Sequence, residues 1–221
     1  MITDRDIEIF KFINRYGKSY IEVLAKTFFT NEQVARNRIN SLAKQNLISY
    51  WNTGLMKPRR AIVLSNDSKM LLESEHEIIA KTVKLNRTTI HHNIIEQIAD
   101  YHLGRIGIVE RATVATHCSK LHHVPDFIFT NEQGNKINIE VELTKKSAPR
   151  YAGIMKDVSK DNVDAIIYIL DSATKIRSYA SIMPKWHKLF FIDIDDLIKN
   201  IDQTGQIKPH SQEVSLFEAP I

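Results

Sequence analysis

Two neighbouring stretches of strand-forming residues carry acidic side chains at positions that a sheet brings together. The stretches are 125–130 and 136–143, with a glycine-containing turn between them, an arrangement typical of a β-hairpin. Pairing that is symmetric about Gln133 places Asp126 opposite Glu140. Because directly opposed residues have Cα atoms about 4.5–5.5 Å apart, we expect these two carboxylates to lie close together.

A third acid joins this pair because side chains alternate between the two faces of a hairpin. The acidic face carries Asp126, Glu140 and Glu142. The opposite face is apolar and consists of Phe127, Phe129, Ile137, Ile139, Val141 and Leu143. Like charges this close repel one another, and a hard divalent cation bound by their oxygen atoms offsets the repulsion. The pattern therefore predicts a metal site, with the solvated outer face of an edge hairpin as the alternative.

The residues around these acids resemble the signature of PD-(D/E)XK nucleases, in which Pro-Asp begins one strand and Glu-x-Lys lies on the next. Here the motif reads Pro125-Asp126 and then Glu140-Val141-Glu142. The predicted elements of residues 89–171 also follow the αβββαβ order of that family. They are a helix at 90–103, strands near 106–113, 125–130 and 136–143, a helix near 149–160 and a strand at 165–170.

The resemblance implies a role for each acid of the motif. It implies that Asp126 and Glu140 bind Mg²⁺, for which Mn²⁺ substitutes, and that Glu96 on the first core helix supplies a further acidic ligand. Glu142 stands at the lysine position of the family, where it binds the metal or acts as the base towards the attacking water. Because that lysine is missing, Glu142 or the nearby Lys145 is the candidate for activating the water.

Other residues near the motif offer alternative chemistry. Three histidine-containing pairs lack the usual spacing of zinc ligands, so we expect structural or solvated roles for them: His91-His92, His117-Cys118 and His122-His123. Tyr151 is a candidate nucleophile, but metal-activated water needs no tyrosine. Basic residues that follow the motif form either a solvated helix face or a track that contacts phosphates: Lys145, Lys146, Arg150, Lys156 and Lys160.

The first third of the chain is predicted to form three short helices and a hairpin. Thr3 and Asp6 have the spacing of a capping box for the first helix, and Gly17 ends that helix. The third helix begins after Thr30, which we expect to cap it. Two β-prone runs follow, at 47–51 and 61–64. This order of elements resembles a winged helix-turn-helix.

That resemblance implies that the third helix enters the major groove and that the hairpin loop reaches phosphates or the minor groove. The predicted contacts are Gln33, Arg36, Asn37, Asn40 and Lys44 on the helix, and Lys57, Arg59 and Arg60 in the loop. Residues 1–75 hold 12 basic and 8 acidic residues, a net charge of +4, whereas the remainder holds 18 of each. A basic first third is expected if it meets an anionic polymer. The alternatives are a solvated helix face and a contact with protein.

The composition is typical of a globular protein. With 221 residues, of which 43% are hydrophobic and 25% charged, the chain is not disordered, collagen-like or a coiled coil. No uncharged apolar run approaches the roughly 20 residues of a membrane helix, and the first residues lack the pattern of a signal peptide. Cys118 is the only cysteine, which excludes an intrachain disulfide and a zinc site with several thiolates. We expect a cytoplasmic protein without a membrane partner.

We therefore predict an α+β protein in which an N-terminal winged helix-turn-helix precedes an α/β PD-(D/E)XK restriction-endonuclease-like core. The predicted parts are a DNA-binding domain at 1–75, a nuclease domain at 76–201 and a C-terminal arm at 202–221. A winged helix before such a core resembles the MobC class of plasmid mobilisation relaxases, which nick one strand at a transfer origin during conjugation.

This second resemblance implies a metal-dependent endonuclease. Its partners would be double-stranded DNA, a single-stranded segment at the nick, and mobilisation or coupling proteins. The competing hypothesis is a non-catalytic DNA-binding regulator or mobilisation accessory protein with a degenerate nuclease core. The feature that favours it is Glu142 in place of the lysine that activates water in the family.

Overall fold

Helices and strands alternate along the described part of the chain, which comprises residues 2–81, 86–111 and 121–212 of a computed structural model. The predicted α+β class is confirmed. The chain divides into two compact units, Met1–Ile98 and Ala99–Ile221. Among the described residues, no helix combines the length and the apolar character needed to cross a membrane. The His117-Cys118 pair and the last part of the predicted C-terminal arm lie outside the described residues.

The first unit contains the three helices and the hairpin that the sequence predicts. Its elements are α1 (Asp4–Tyr16), α2 (Ile21–Phe28), α3 (Glu32–Lys44), β1 (Ile48–Asn52), β2 (Arg60–Leu64), α4 (Asn66–His76) and α5 (Ile90–Leu103), which continues into the second unit. The strands β1 and β2 pair antiparallel, with Ile48 opposite Leu64. The helix α3 buries Ala35, Ile39 and Leu42, so its other face is available to solvent.

The start of α1 contains a buried carboxylate with several partners. The Thr3 side chain accepts the Asp6 N–H, and the Thr3 N–H donates to Asp6 Oδ2 at 2.7 Å, which confirms the predicted capping box. Asp6 is only 1% exposed, and it also accepts a hydrogen bond of 2.8 Å from Arg38 Nε on α3. A buried charge requires such partners, so this one side chain caps α1 and ties it to α3. Gly17 ends α1 with a φ of 75°, as predicted.

The start of α3 differs by one residue from the prediction. Asn31, and not Thr30, caps the helix, because the Asn31 side chain accepts the Val34 N–H at 2.9 Å. Both residue types are good caps, so composition alone did not distinguish them. The extended backbone of Asn31 places its side-chain oxygen at the helix N-terminus.

A six-stranded sheet in the order β3-β4-β5-β6-β7-β8 forms the centre of the second unit. The strands are β3 (Gly107–Arg111), β4 (Phe127–Asn131), β5 (Lys136–Val141), β6 (Ala165–Leu170), β7 (Leu189–Asp193) and β8 (His210–Ser211). The strand β6 runs parallel to β5 and β7, and the other neighbouring pairs are antiparallel. The helices that follow β5 are α6 (Ala148–Val158), α7 (Ile176–Ala180) and α8 (Ile194–Thr204).

The hairpin β4–β5 has the register that the sequence predicts. Thr130 lies opposite Lys136 and Phe127 lies opposite Ile139, which is pairing symmetric about Gln133. Four residues of the predicted apolar face are buried, namely Phe127, Phe129, Ile139 and Val141, whereas Ile137 and Leu143 are half-buried. The register places Asp126 and Glu140 just beyond the last ladder pair, at the end of the hairpin that is remote from the turn.

Helices α6 and α7 pack on the sheet through one apolar cluster. Tyr151, Met155 and Val158 of α6 belong to the same buried cluster as Tyr168 of β6 and Phe191 of β7. The Tyr168 ring stacks on Phe191 with ring centroids 6.0 Å apart and meets Tyr151 edge-on at 6.3 Å. Because β6 pairs with β5 and Tyr168 is the register partner of Glu140, this apolar cluster lies next to the end of β5 that carries the acids.

Part of the predicted C-terminal arm contributes to the second unit. Residues 202–204 complete α8, and β8 pairs with β7 through His210 and Phe191. The Gln212 side chain is 5% exposed and donates to the carbonyl oxygens of Ala180 and Met183 at 2.9 and 3.0 Å. Residues up to 212 are thus bonded to the layer that contains α7.

Candidate functional site

The three predicted acids lie where β4 begins and β5 ends. Glu140 is on β5, Glu142 is one residue beyond it, and Asp126 is one residue before β4. Glu142 is only 4% exposed, and the Glu140 side chain is 16% exposed. The alternative of a solvated outer face therefore does not fit, and burial of these carboxylates requires partners for their charge.

Glu140 has a histidine partner. His123 Nε2 lies 2.6 Å from Glu140 Oε1. Burial raises the pKa of Glu140, and the nearby Asp126 carboxylate raises it further, whereas the hydrogen bond with His123 opposes both. Burial by itself lowers the pKa of His123, but the contact with Glu140 outweighs that effect and the pKa is raised. The two side chains thus form one hydrogen-bonded pair in which the pKa of each group is raised.

A second acid holds this histidine in position. Asp161 Oδ2 accepts the His123 N–H at 3.2 Å, and Asp161 Oδ1 accepts the His122 N–H at 2.9 Å and contacts His122 Nδ1 at 3.0 Å. Burial by itself raises the pKa of Asp161, but these hydrogen bonds outweigh it and the pKa is lowered. Asp161 therefore stays ionised and fixes the backbone from which His123 reaches Glu140.

Glu142 has a lysine partner. Lys146 Nζ donates to Glu142 Oε2, and the Lys146 backbone N–H donates to the Tyr151 hydroxyl at 3.1 Å. Burial lowers the pKa of Lys146, and the carboxylates of Glu140 and Asp126 oppose that effect. The Lys146 ammonium is therefore within electrostatic reach of all three acids.

Lys145, the predicted catalytic lysine, has a different environment. Its Nζ donates to Ser178 Oγ on α7 at 2.7 Å, and the residue is exposed. The segment between β5 and α6 is neither helix nor strand, so consecutive side chains there need not follow an alternating pattern. The structure places Lys146, and not Lys145, against the acids.

Asp126 is bonded to the neighbouring strand. Its Oδ2 accepts the Val141 N–H at 2.8 Å, which joins the start of β4 to the end of β5. This bond fixes the carboxylate near Glu140, because the Val141 N–H belongs to the next residue of β5. The register of the hairpin thus determines where the Asp126 carboxylate lies.

The donor chemistry of this cluster fits a hard cation such as Mg²⁺. Carboxylate oxygens are the ligands that Mg²⁺ prefers, and it usually keeps several of its waters. Beside Glu140 lie buried polar atoms that have no hydrogen-bond partner in the described part of the chain, namely the Asn138 side-chain amide and the Tyr168 hydroxyl. Tyr168 is the register partner of Glu140, and buried polar atoms of this kind are typically satisfied by ordered water. Asp126 and Glu140 are the acids of the motif that would hold the ion, because the Asp126 carboxylate lies within electrostatic reach of Glu140.

The structure also locates two other residues that the sequence singles out, Glu96 as a metal ligand and Tyr151 as a nucleophile. Glu96 lies on α5 in the first unit, is 5% exposed, and accepts a hydrogen bond of 2.7 Å from Asn93. Its Oε1 is also 3.7 Å from His92 Nε2, and its predicted role as a ligand remains a prediction.

Tyr151, the candidate nucleophile, is fully buried, and burial raises its pKa. A hydroxyl in that position is suited to packing rather than to attack on a phosphate.

The predicted DNA contacts of the first unit are all exposed. They are Gln33, Arg36, Asn37, Asn40, Lys44, Lys57, Arg59 and Arg60. Several are already ordered by neighbours: Gln33 donates to Asn37 at 2.9 Å, and Arg36 pairs with Glu32. The polar face of α3 is therefore a network of side chains rather than a set of independent ones.

A groove of about 470 Å³ connects this helix face to the hairpin loop. Its charged lining comes from Arg36 on α3, from Glu22 on α2, from Lys57 and Arg59 in the loop, and from Arg60 at the start of β2. The Tyr50 hydroxyl donates to Asn40 at 2.8 Å, and the Arg60 guanidinium lies 5.4 Å from the centroid of the Tyr50 ring. The groove thus joins the two predicted DNA-contacting segments in one positively charged surface.

Comparison with models of known protein families gives no match, and comparison with curated proteins gives none either. The functional interpretation therefore depends on the residues and on their geometry. Sequence reasoning located the three acids but missed His123 and Asp161. The one signal in the sequence was the position of His123 three residues before Asp126, where the chain enters the same end of the hairpin.

Proposed function

We propose that the protein is a metal-dependent DNA endonuclease that nicks one strand at a specific site, as relaxases do at a plasmid transfer origin. One observation carries this proposal. Of the three acids that the motif singles out, Glu142 is buried and Asp126 and Glu140 are half-buried at one end of a hairpin, and the ammonium of Lys146 bonds Glu142. Carboxylates with an ammonium beside them are suited to phosphate chemistry.

In this proposal Asp126 and Glu140 hold Mg²⁺, and Glu142 is a further ligand or the base. When bound, the metal supplies charge stabilisation for the phosphate and lowers the pKa of a water molecule. The chain's own contribution is positioning. Asp161 orients His123, His123 orients Glu140, and the Val141 N–H orients Asp126.

The first unit selects the DNA in this proposal. Its basic residues face solvent on α3 and on the hairpin loop, and cationic side chains on one surface supply most of the affinity for phosphates. The asparagine and glutamine side chains on α3 have the donors and acceptors that read base edges. The partners are accordingly duplex DNA and, in a mobilisation system, the proteins that act with it.

Nicking of supercoiled DNA tests this function even when the target sequence is unknown. Supercoiled plasmids that carry random inserts are incubated with the protein and Mn²⁺, and the nicked circles are isolated and sequenced. We expect nicks at one enriched sequence, with the rate lowered about 100-fold or more in Asp126→Ala. Glu132→Ala is the matched control, because Glu132 is an exposed acid in the turn at the other end of the hairpin. Equal nicking by the wild type and by Asp126→Ala would contradict the proposal.

A second candidate function is that of a DNA-binding regulator or accessory protein without catalysis. The observation that favours it is that each acid has a partner within the chain: His123 for Glu140, Lys146 for Glu142 and a backbone N–H for Asp126. Such a cluster folds without a metal. A protein of this kind binds duplex DNA, but it shows no site-specific nicking with any divalent cation.

A further inference from the structure

We infer that Lys146 is the catalytic lysine of this site and that its ammonium contacts the scissile phosphate, although Lys146 lies four residues after the lysine position of the motif. This inference rests on the proposed nuclease function and names a residue that the motif does not. It follows from three features of the structure: the contacts of Lys146, the contacts of its neighbour Lys145, and the pairing of Glu142.

The ammonium of Lys146 is held at the acids by contacts on both sides of the residue. Its Nζ bonds Glu142 Oε2, and its backbone N–H is anchored by the hydroxyl of the buried Tyr151. The Nζ atom also lies 5.9 Å from the centroid of the Tyr151 ring, a distance at which a cation is attracted to the ring face. The Lys146 side chain remains 29% exposed, so a phosphate can reach the ammonium from solvent.

Lys145 does not compete for this role. Its Nζ is bonded to Ser178 on α7, 2.7 Å away. The two lysines are adjacent in sequence and equal in charge, but one contacts the acidic cluster and the other contacts a helix. Lys145 is therefore the matched control for every measurement on Lys146.

The position of Glu142 is explained by the same arrangement. A glutamate where the motif has a lysine leaves a buried negative charge, and the Lys146 ammonium compensates it. The pair restores the lysine of the motif and adds a carboxylate beside it. The site thus contains both an ammonium and a base, which a single lysine cannot provide at the same time.

The chemistry assigned to this pair is hydrolysis of one phosphodiester bond. The oxygen of a water molecule bonds to phosphorus while the bond from phosphorus to the leaving sugar oxygen breaks. The Glu142 carboxylate accepts the proton of that water, and the leaving oxygen takes a proton from solvent. Lys146 keeps its proton and donates hydrogen bonds to a non-bridging phosphate oxygen, where negative charge increases in the transition state.

The test compares Lys146→Met, Lys146→Gln and Lys146→Arg with Lys145→Met in the full chain. Lys146→Gln retains a donor for Glu142, so it keeps the test informative if Lys146→Met fails to fold. The measurements are single-turnover nicking of the enriched plasmid site, affinity for the same duplex, and Mn²⁺ affinity by calorimetry. We expect Lys146→Met and Lys146→Gln to nick about 100-fold more slowly or worse, with duplex and Mn²⁺ affinities within threefold of the wild type. Lys146→Arg retains part of the rate, and Lys145→Met stays within threefold in all three measurements.

Three results overturn the inference, and they are distinguishable. If Lys146→Gln nicks at the wild-type rate, Lys146 has no catalytic role, but the endonuclease function remains in place. If the Lys146 variants lose Mn²⁺ affinity in parallel with the nicking rate, Lys146 organises the acids and does not contact the phosphate. If the wild-type protein nicks no sequence, the proposed function fails and the inference fails with it.

Discussion

The Nε2 atom of His123 lies 2.6 Å from the Oε1 atom of Glu140, and this contact joins the segment before β4 to the end of β5. Glu140 is poorly exposed and has the Asp126 carboxylate near it, and both facts raise its pKa. The hydrogen bond with His123 opposes both effects, and the pKa of Glu140 stays raised.

His123→Ala is expected to lower the free energy of unfolding of the second unit by about 2 kcal/mol, because it leaves the poorly exposed Glu140 carboxyl without its hydrogen-bond partner. Urea unfolding at pH 7 measures this change. In a Trp51→Phe background, Trp186 is the only tryptophan, so its fluorescence reports on the second unit alone.

The control for this prediction is His122→Ala. The His122 side chain is 52% exposed and contributes only the Nδ1 contact with Asp161, so we expect a change of about 0.5 kcal/mol or less. If both variants unfold at the same urea concentration as the wild type, the pair between His123 and Glu140 contributes nothing measurable to stability.

Binding of Mn²⁺ is predicted to need the acids of the motif. A calorimetric titration of the wild-type protein is expected to show saturable binding, and the double variant Asp126→Ala/Glu142→Ala is expected to show none, because two of the three oxygen ligands are gone. Asp164→Ala is the control, since Asp164 is an exposed acid that accepts the Lys136 N–H at the other end of the same sheet. Superimposable isotherms for the wild type and the double variant would show that the cluster is not a metal site.

The hairpin that carries the acids was predictable because its signals are local and periodic. Alternation of apolar and polar side chains assigns the faces, and a short turn about Gln133 fixes the register, so Thr130 pairs with Lys136 as expected. Once the register is set, the positions of Asp126 and Glu140 follow from geometry alone. A capping box at Thr3 was predictable for the same reason, since its two residues are three apart in sequence.

The partners of the acids were not predictable in the same way. His123 and Lys146 lie in segments without a repeating pattern, before β4 and after β5, where the direction of a side chain is set by tertiary contacts. Lys145 and Lys146 are chemically identical, and only their contacts in the folded chain distinguish them: Lys146 bonds Glu142, whereas Lys145 bonds Ser178, 33 residues away. Asp161 is still further from His123 in sequence, and no local rule connects the two.

The salt dependence of DNA binding tests the predicted role of α3. We expect Arg36→Ala and Lys44→Ala each to weaken binding to a fluorescein-labelled duplex of mixed sequence and to reduce the slope of log K against log salt by about 1, because one phosphate contact is lost. Fluorescence anisotropy between 50 and about 200 mM salt measures the slope.

The matched control for these variants is Lys11→Ala. Lys11 is a lysine of the same unit that pairs with Glu8 on α1 and lies outside the predicted DNA surface, so its slope should equal that of the wild type. Slopes that are unchanged in both α3 variants would indicate that this helix face contacts protein rather than DNA.

Stability at low pH tests the pair between Asp6 and Arg38. Burial by itself raises the pKa of Asp6, but the hydrogen bonds from Arg38 and Thr3 outweigh it, so the pKa lies below its ordinary value. A carboxyl whose pKa is lowered by folding adds stability above its unfolded pKa of about 3.9 and loses it as the pH falls through the folded pKa. The contribution of the pair is therefore complete at neutral pH and absent in strong acid.

Asp6→Asn is accordingly expected to destabilise the first unit by about 3 kcal/mol at pH 7, the cost of leaving Arg38 without its buried partner, and by progressively less as the pH falls below about 4. Urea unfolding in a Trp186→Phe background measures it, with Trp51 as the probe of the first unit. Asp67→Asn, an exposed acid of α4, is the control and should show a small difference. A difference between the wild type and Asp6→Asn that stays constant from pH 7 to pH 2 would mean that the ionised carboxylate is not what stabilises the contact between α1 and α3.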